Sequence, residues 1–191
     1  MIDNQLINAS IFHGQKSLEN RISVGYDKQV FLIEDFFPSE IIDRLLKFAH
    51  NTKEWKTVDL QEHLNRKQVN WNSDSIIEEV HTVIESLTPK INEIFDDDFV
   101  NFNGISLWQD QTGYKIPNHI DNDSVQASIK IYLTTDSTNL ATTFDIDNNV
   151  ISAKYLINHG YIMNNRYKVR HGLENSVPQG HVRYSLYGTW Q

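Results

Sequence analysis

The apolar positions of this chain change period partway along its length. Val30-Phe31-Leu32-Ile33 is a short apolar run of the kind that fills a strand, and it leads into Asp35-Phe36-Phe37-Pro38. Behind Pro38, the residues Ile41, Ile42, Leu45, Leu46 and Ala49 fall on one face of a 3.6-residue period, which predicts a helix with Ser39 as its N-cap. A second helical stripe runs through Ile76, Ile77, Val80, Val83, Ile84 and Leu87, opened by the capping-box pair Ser75 and Glu78. Pro89 bends or ends that helix, and Ile91, Ile94 and Phe95 continue it by a turn or two. From Phe99 the period becomes two. Segments 102–108, 125–134, 142–146, 154–163, 167–171 and 181–190 all predict strands, separated by Asn, Asp, Gly and Ser turns.

Two helices followed by many short strands give an α+β domain whose C-terminal half is a sandwich or barrel, with a jelly roll as the natural form. The expected division is a loosely held polar arm over 1–28, helical support over 29–98 and a jelly-roll core over 99–191, all within a single domain (1–191). Segment 51–72 is mixed and polar, with Trp55 and Trp71 as anchors. Asp96-Asp97-Asp98 reads as a solvated turn, because a calcium loop alternates its carboxylates around a glycine and this run does not.

Composition narrows the partners. The chain has 191 residues, 39% of them hydrophobic and 11% aromatic, enough to bury a core. There is no cysteine, so disulfides and thiolate metal sites are excluded, and a reducing cytoplasm is the expected compartment. No apolar run approaches the ~20 residues that cross a bilayer, and Met1-Ile2-Asp3-Asn4-Gln5 does not begin like a signal peptide. A net charge of −8 without a basic run argues against nucleic acid as the main partner.

The candidate chemistry sits in Pro117-Asn118-His119-Ile120-Asp121. On an extended backbone His119 and Asp121 leave the same face, about 7 Å apart, so imidazole and carboxylate can meet at one metal ion. His171 is the candidate third ligand. Two histidines and a carboxylate on one side of an ion leave positions open for reactants. In the last strand, Arg183, Ser185 and Tyr187 share one face and Val182, Tyr184 and Leu186 the other. A buried arginine needs an anion. Its planar fork matches a carboxylate, so Arg183 with Ser185 could receive the far end of a small diacid whose near end chelates the metal.

These residues together resemble the Fe(II)- and 2-oxoglutarate-dependent oxygenases, and within them the prolyl 4-hydroxylase-like group. The resemblance runs from about Leu107 to Trp190: Trp108, Gly113-Tyr114, His119-Ile120-Asp121, Tyr132-Leu133, Thr142-Thr143-Phe144, then His171 and Arg183. It implies a double-stranded β-helix, a cupin-like jelly roll, with N-terminal helices packed on its sheet. It also implies Fe(II) held by His119, Asp121 and His171, and Arg183 on the far carboxylate of 2-oxoglutarate with Tyr132 and Ser185 assisting. Trp108 and Tyr114 would line the cosubstrate pocket. O2 would be the co-reactant, ascorbate a stimulating reductant, and succinate and CO2 the by-products. The implied reaction is hydroxylation of an unactivated C–H bond, with a prolyl residue of a peptide or protein first and a free amino acid or small metabolite second.

The chain departs from the family pattern in three places. Leu140-Ala141 stands where Gly-Gly is usual, Trp108 where a Tyr is usual, and Lys130 shares a strand face with Tyr132 where an apolar residue is commoner. Lys130 would compete with Arg183 for the carboxylate, or face outward on a bulged strand. The polar segment 56–72, including Arg66, and loops 109–116 and 122–126 are the expected substrate contacts. A non-catalytic jelly-roll binding module is the alternative of a different class.

Overall fold

The computed structural model describes residues 21–58, 65–70, 75–135 and 140–191. Eleven strands are β1 (Ile22–Tyr26), β2 (Val30–Ile33), β3 (Lys56–Thr57), β4 (Arg66–Asn70), β5 (Phe102–Asp110), β6 (Ala127–Tyr132), β7 (Thr142–Ile146), β8 (Asn149–Ser152), β9 (Gly160–Asn164), β10 (Arg170–Leu173) and β11 (Arg183–Trp190). The helices are α1 (Ser39–Asn51), α2 (Ser75–Ser86) and α3 (Thr88–Phe95). The strands form an eight-stranded sheet, ordered β1-β2-β9-β6-β11-β5-β4-β3, and a three-stranded sheet, ordered β10-β7-β8. The fold is α+β, and its two antiparallel sheets are those of a jelly roll.

Alternation along the strands gives the large sheet two unlike faces. Val69, Ile105, Leu107, Ile129, Ile131, Ile162, Tyr184 and Leu186 pack with the buried stripes of the helices into one apolar core. Ile41, Ile42, Leu45 and Ala49 supply that stripe from α1, and each large aliphatic side chain buried there contributes about 1.5–3 kcal/mol. The opposite face looks into the space between the sheets. Val30, Leu32, Tyr132, Phe144, Tyr161, Met163 and Leu173 fill part of that space. The rest is lined by polar and charged side chains.

Several local expectations are corrected. Pro38, not Ser39, stands at the cap of α1, and Ser39 is its first helical residue without a side-chain cap bond. Pro89 does separate two helices, because it lies in the first turn of α3, where its missing N–H is not needed. The Ser75 side chain and Trp71 lie outside the described residues. Only the end of 154–163 is strand: Asn158 adopts φ 65°, and its side chain caps Phe37 by accepting from Phe37 N at 2.8 Å and donating to Phe37 O at 2.7 Å. Tyr167 belongs to a 3-10 turn closed by Lys168 at φ 55°, so the strand starts at Arg170. Within the segment expected to be an arm, β1 is bonded to β2 in antiparallel register.

Candidate active site

Two backbone hydrogen bonds bring the metal-binding candidates together. His119 N donates to His171 O at 2.9 Å and His171 N donates to His119 O at 2.8 Å, a single antiparallel bridge rather than a strand. Gly172 makes room for it. A Cβ there would meet Asn118 N at 2.9 Å and Ile116 O at 3.0 Å, so only glycine lets the 116–119 segment lie against β10. His171 itself is fixed by the register of β10 with β7, which pairs it with Phe144.

His119, Asp121 and His171 each offer a ligand atom within 4.8 Å of the others. Asp121 Oδ1 lies 3.3 Å from His119 Nε2 and 3.5 Å from His171 Nε2. Both Nδ1 atoms point the other way, at backbone carbonyls: His119 at Pro117 O (2.9 Å) and His171 at Val169 O (3.2 Å). An Nδ1–H donated to a carbonyl leaves Nε2 with its lone pair toward the centre, the tautomer a metal requires. Asn165 Nδ2 donates to Asp121 Oδ2 at 3.0 Å and sets that carboxylate's orientation.

The three groups are tuned differently. A hydrogen bond donated to Asp121 raises His119, with burial opposing it. Burial lowers His171. Burial would raise Asp121, but His119 and His171 outweigh it and hold its carboxyl below the usual carboxylate range. Tyr187 sits beside them, its phenol pushed up by burial and then by the Asp121 charge.

The triad opens on a cavity of about 590 Å³ whose lining includes Trp108, Tyr114, Lys130 and Arg183. One wall is the polar face of the large sheet. There the register aligns Arg66 on β4, Asp110 on β5 and Arg183 on β11 in a row. Asp110 Oδ1 accepts from Arg66 Nε at 2.6 Å, and its Oδ2 accepts from Arg66 Nη2 at 3.0 Å and Arg183 Nη1 at 2.6 Å. All three are buried. Burial alone would raise the Asp110 carboxyl, but the two guanidinium charges hold it below its ordinary value.

Trp108 lies between Arg66, whose guanidinium carbon is 3.7 Å from its ring centre, and Tyr187, stacked at 4.1 Å. Tyr114 covers Arg66 at 4.2 Å. Arg66 is therefore an interior residue of the cavity lining, held there by its paired position on β4 and by the buried Asp110.

Ser185 Oγ and Arg183 Nε are buried without a hydrogen-bond partner among the described residues. Tyr132 stands behind the wall: its phenol donates to Thr142 Oγ1 at 3.0 Å and accepts from Thr142 N at 2.8 Å, and Thr142 lines the cavity. The guanidinium of Arg183 lies 5.2 Å from the Tyr132 ring centre. Sequence reasoning missed Asp110, Asn165 and the interior place of Arg66. A signal existed for Asp110 alone, since it extends the face of Trp108 by two positions.

The jelly roll is shared with solved structures of 2-oxoglutarate–Fe(II) oxygenases. No family model and no curated protein matches the chain. Among solved structures it is similar to a Trichoplax adhaerens prolyl hydroxylase in complex with a hypoxia inducible factor peptide fragment, at TM-score 0.72 and 13% identity, covering 98% of this chain and 89% of that one. A Pseudomonas putida prolyl-4-hydroxylase aligns at TM-score 0.70 and 13% identity, covering 85% of this chain and 92% of that one. HygX from Streptomyces hygroscopicus, with nickel, 2-oxoglutarate and hygromycin B bound, aligns at TM-score 0.62 and 8% identity over 86% and 83%.

Proposed function

We propose that this protein is an Fe(II)- and 2-oxoglutarate-dependent dioxygenase that hydroxylates an unactivated C–H bond, with a prolyl residue of a peptide or protein as substrate. The observation that carries the reading is the convergence of His119, Asp121 and His171 in the lining of a cavity that also holds the buried cations Arg66, Lys130 and Arg183. The donor set suits Fe(II): two neutral imidazoles and a carboxylate, each oriented by a second group. The far wall suits a diacid. Arg183 Nε and Ser185 Oγ are desolvated and unpaired among the described residues, and a buried polar atom costs about 1–3 kcal/mol until a partner arrives.

In this reading His119, Asp121 and His171 hold the metal, and Arg183 and Ser185 receive the far carboxylate of the cosubstrate. Thr142, braced by Tyr132, forms the wall between them, and Trp108 and Tyr114 keep the Arg66 side of the cavity dry. Bound iron with 2-oxoglutarate and O2 supplies the oxidising power, releasing succinate and CO2, with ascorbate as a stimulating reductant. The chain's own part is to hold the acceptor C–H at the mouth and exclude water. The likeness to a prolyl hydroxylase with a bound peptide favours a peptide over a free metabolite. The absence of cysteine fits a reducing cytoplasm.

The test is succinate release from 2-oxoglutarate with Fe(II) and ascorbate, in the presence of proline-containing peptides. Peptide-dependent succinate, with hydroxyproline found by mass spectrometry, is expected. No succinate with any peptide or amino acid would favour a binding module without turnover.

A further inference from the structure

One cation in the cavity is left without a paired anion among the described residues. Lys130 lies on β6, is 7% exposed and lines the cavity together with the metal-binding triad. Its direction is fixed, because the ladder from β6 to β11 runs through Tyr187↔Lys130 without a bulge. On the other side β9 approaches so closely that a Cβ on Gly160 would lie 1.8 Å from Lys130 O. The amine ends 4.7 Å from the Trp108 ring centre and 5.5 Å from that of Tyr187. Among the described residues it makes no hydrogen bond and no ion pair. The neighbouring interior carboxylate, Asp110, is already held by Arg66 and Arg183. Outside the metal triad, three cations (Arg66, Arg183 and Lys130) thus face one carboxylate, an excess of two positive charges.

An unpaired ammonium in such a place is destabilising unless an anion arrives. Burial, and then Arg183 and Arg66, push the Lys130 amine well below its ordinary range. Arg183 is different, since its Nη1 already donates to Asp110. We infer that Lys130 is the main determinant of dicarboxylate selection, its ammonium pairing with the far carboxylate of the bound 2-oxo diacid. Arg183 Nε and Ser185 orient the same group from the adjoining strand. This rests on the oxygenase reading above and names the side chain that discriminates within it.

The experiment compares 2-oxoglutarate with 2-oxopentanoate, which has the same chain but no terminal carboxylate, by calorimetry on the Mn(II)-loaded protein without O2. The wild type is expected to prefer the diacid. Lys130→Met is expected to weaken 2-oxoglutarate about tenfold or more, the loss of one charged hydrogen bond, while 2-oxopentanoate changes little. Ligand-free Lys130→Met is also expected to melt at or above the wild-type temperature, an effect opposite to that of losing a packing residue. Lys130→Gln, which keeps a polar tip, should show the same loss of selectivity and serves if the methionine variant misfolds. Unchanged 2-oxoglutarate affinity in either variant would overturn the assignment, as would equal weakening of both acids. A wild type with no preference for the diacid would instead overturn the oxygenase reading itself.

Discussion

Arg183 Nη1 donates to Asp110 Oδ2 at 2.6 Å, with both side chains out of contact with solvent. The same carboxylate takes the fork of Arg66, so one anion organises two guanidiniums contributed by the strands on either side of it. Removing the anion leaves both charges uncompensated in the interior. Asp110→Asn is therefore expected to destabilise the protein by about 3–5 kcal/mol, read from denaturant unfolding. A loss under about 1 kcal/mol would mean that water or relaxation already screens the row.

The same pair makes the fold sensitive to acid. Because the Asp110 carboxyl lies below its ordinary value of 3.8, its contribution is complete above that pH and is lost as pH falls through the lower folded value. Asp110→Asn should flatten the acid limb of the stability profile relative to wild type, measured by thermal melts across that range.

Metal affinity should depend on pH in the opposite region. His119 is raised above 6.5 by its bond to Asp121, so in the metal-free protein the protonated form is favoured below that raised value and lost above it. A metal requires the neutral ring, so Mn(II) must displace the proton and binds more weakly as pH falls. Titrations at about pH 6 and about pH 8 should show this, the lower pH giving the weaker constant. A pH-independent constant would place the metal away from His119.

Asn165 holds Asp121 from behind at 3.0 Å. Asn165→Ala is expected to lower Mn(II) affinity by about 10–100-fold while leaving the melting profile nearly unchanged. His171→Ala should abolish binding altogether.

On the helical side, Leu45 is fully buried in the core beneath α1. Leu45→Ala is expected to cost about 2–5 kcal/mol without altering metal affinity, since the helix supports the sheet from the face opposite the cavity.

Where one face of an element is apolar, its place was legible in the sequence. Thr142–Ile146 emerges with its expected bounds, and the stripe Ile41, Ile42, Leu45 and Ala49 is the buried face of α1. The fold of the resemblance appears as expected, and His119, Asp121 and His171 each bring a possible ligand atom within 4.8 Å of the others. β4 was not legible. Arg66-Lys67-Gln68-Val69-Asn70 reads as a polar loop because Val69 is its one side chain in the helix-facing core, while Arg66 lines the cavity. The neutralising partner of Arg66 is 44 positions away, on a strand that only the fold brings alongside. Asn165 was hidden for the same reason, since a lone asparagine in a turn carries no local sign that it orients a carboxylate 44 positions earlier.

Nothing tests the account more directly than crystals soaked anaerobically with Mn(II) and 2-oxoglutarate. One metal should lie between His119 Nε2, His171 Nε2 and the Asp121 carboxylate, with the diacid chelating it and its far carboxylate reaching Lys130 and Arg183. Metal density elsewhere, or a diacid that leaves Lys130 and Arg183 untouched, would contradict it.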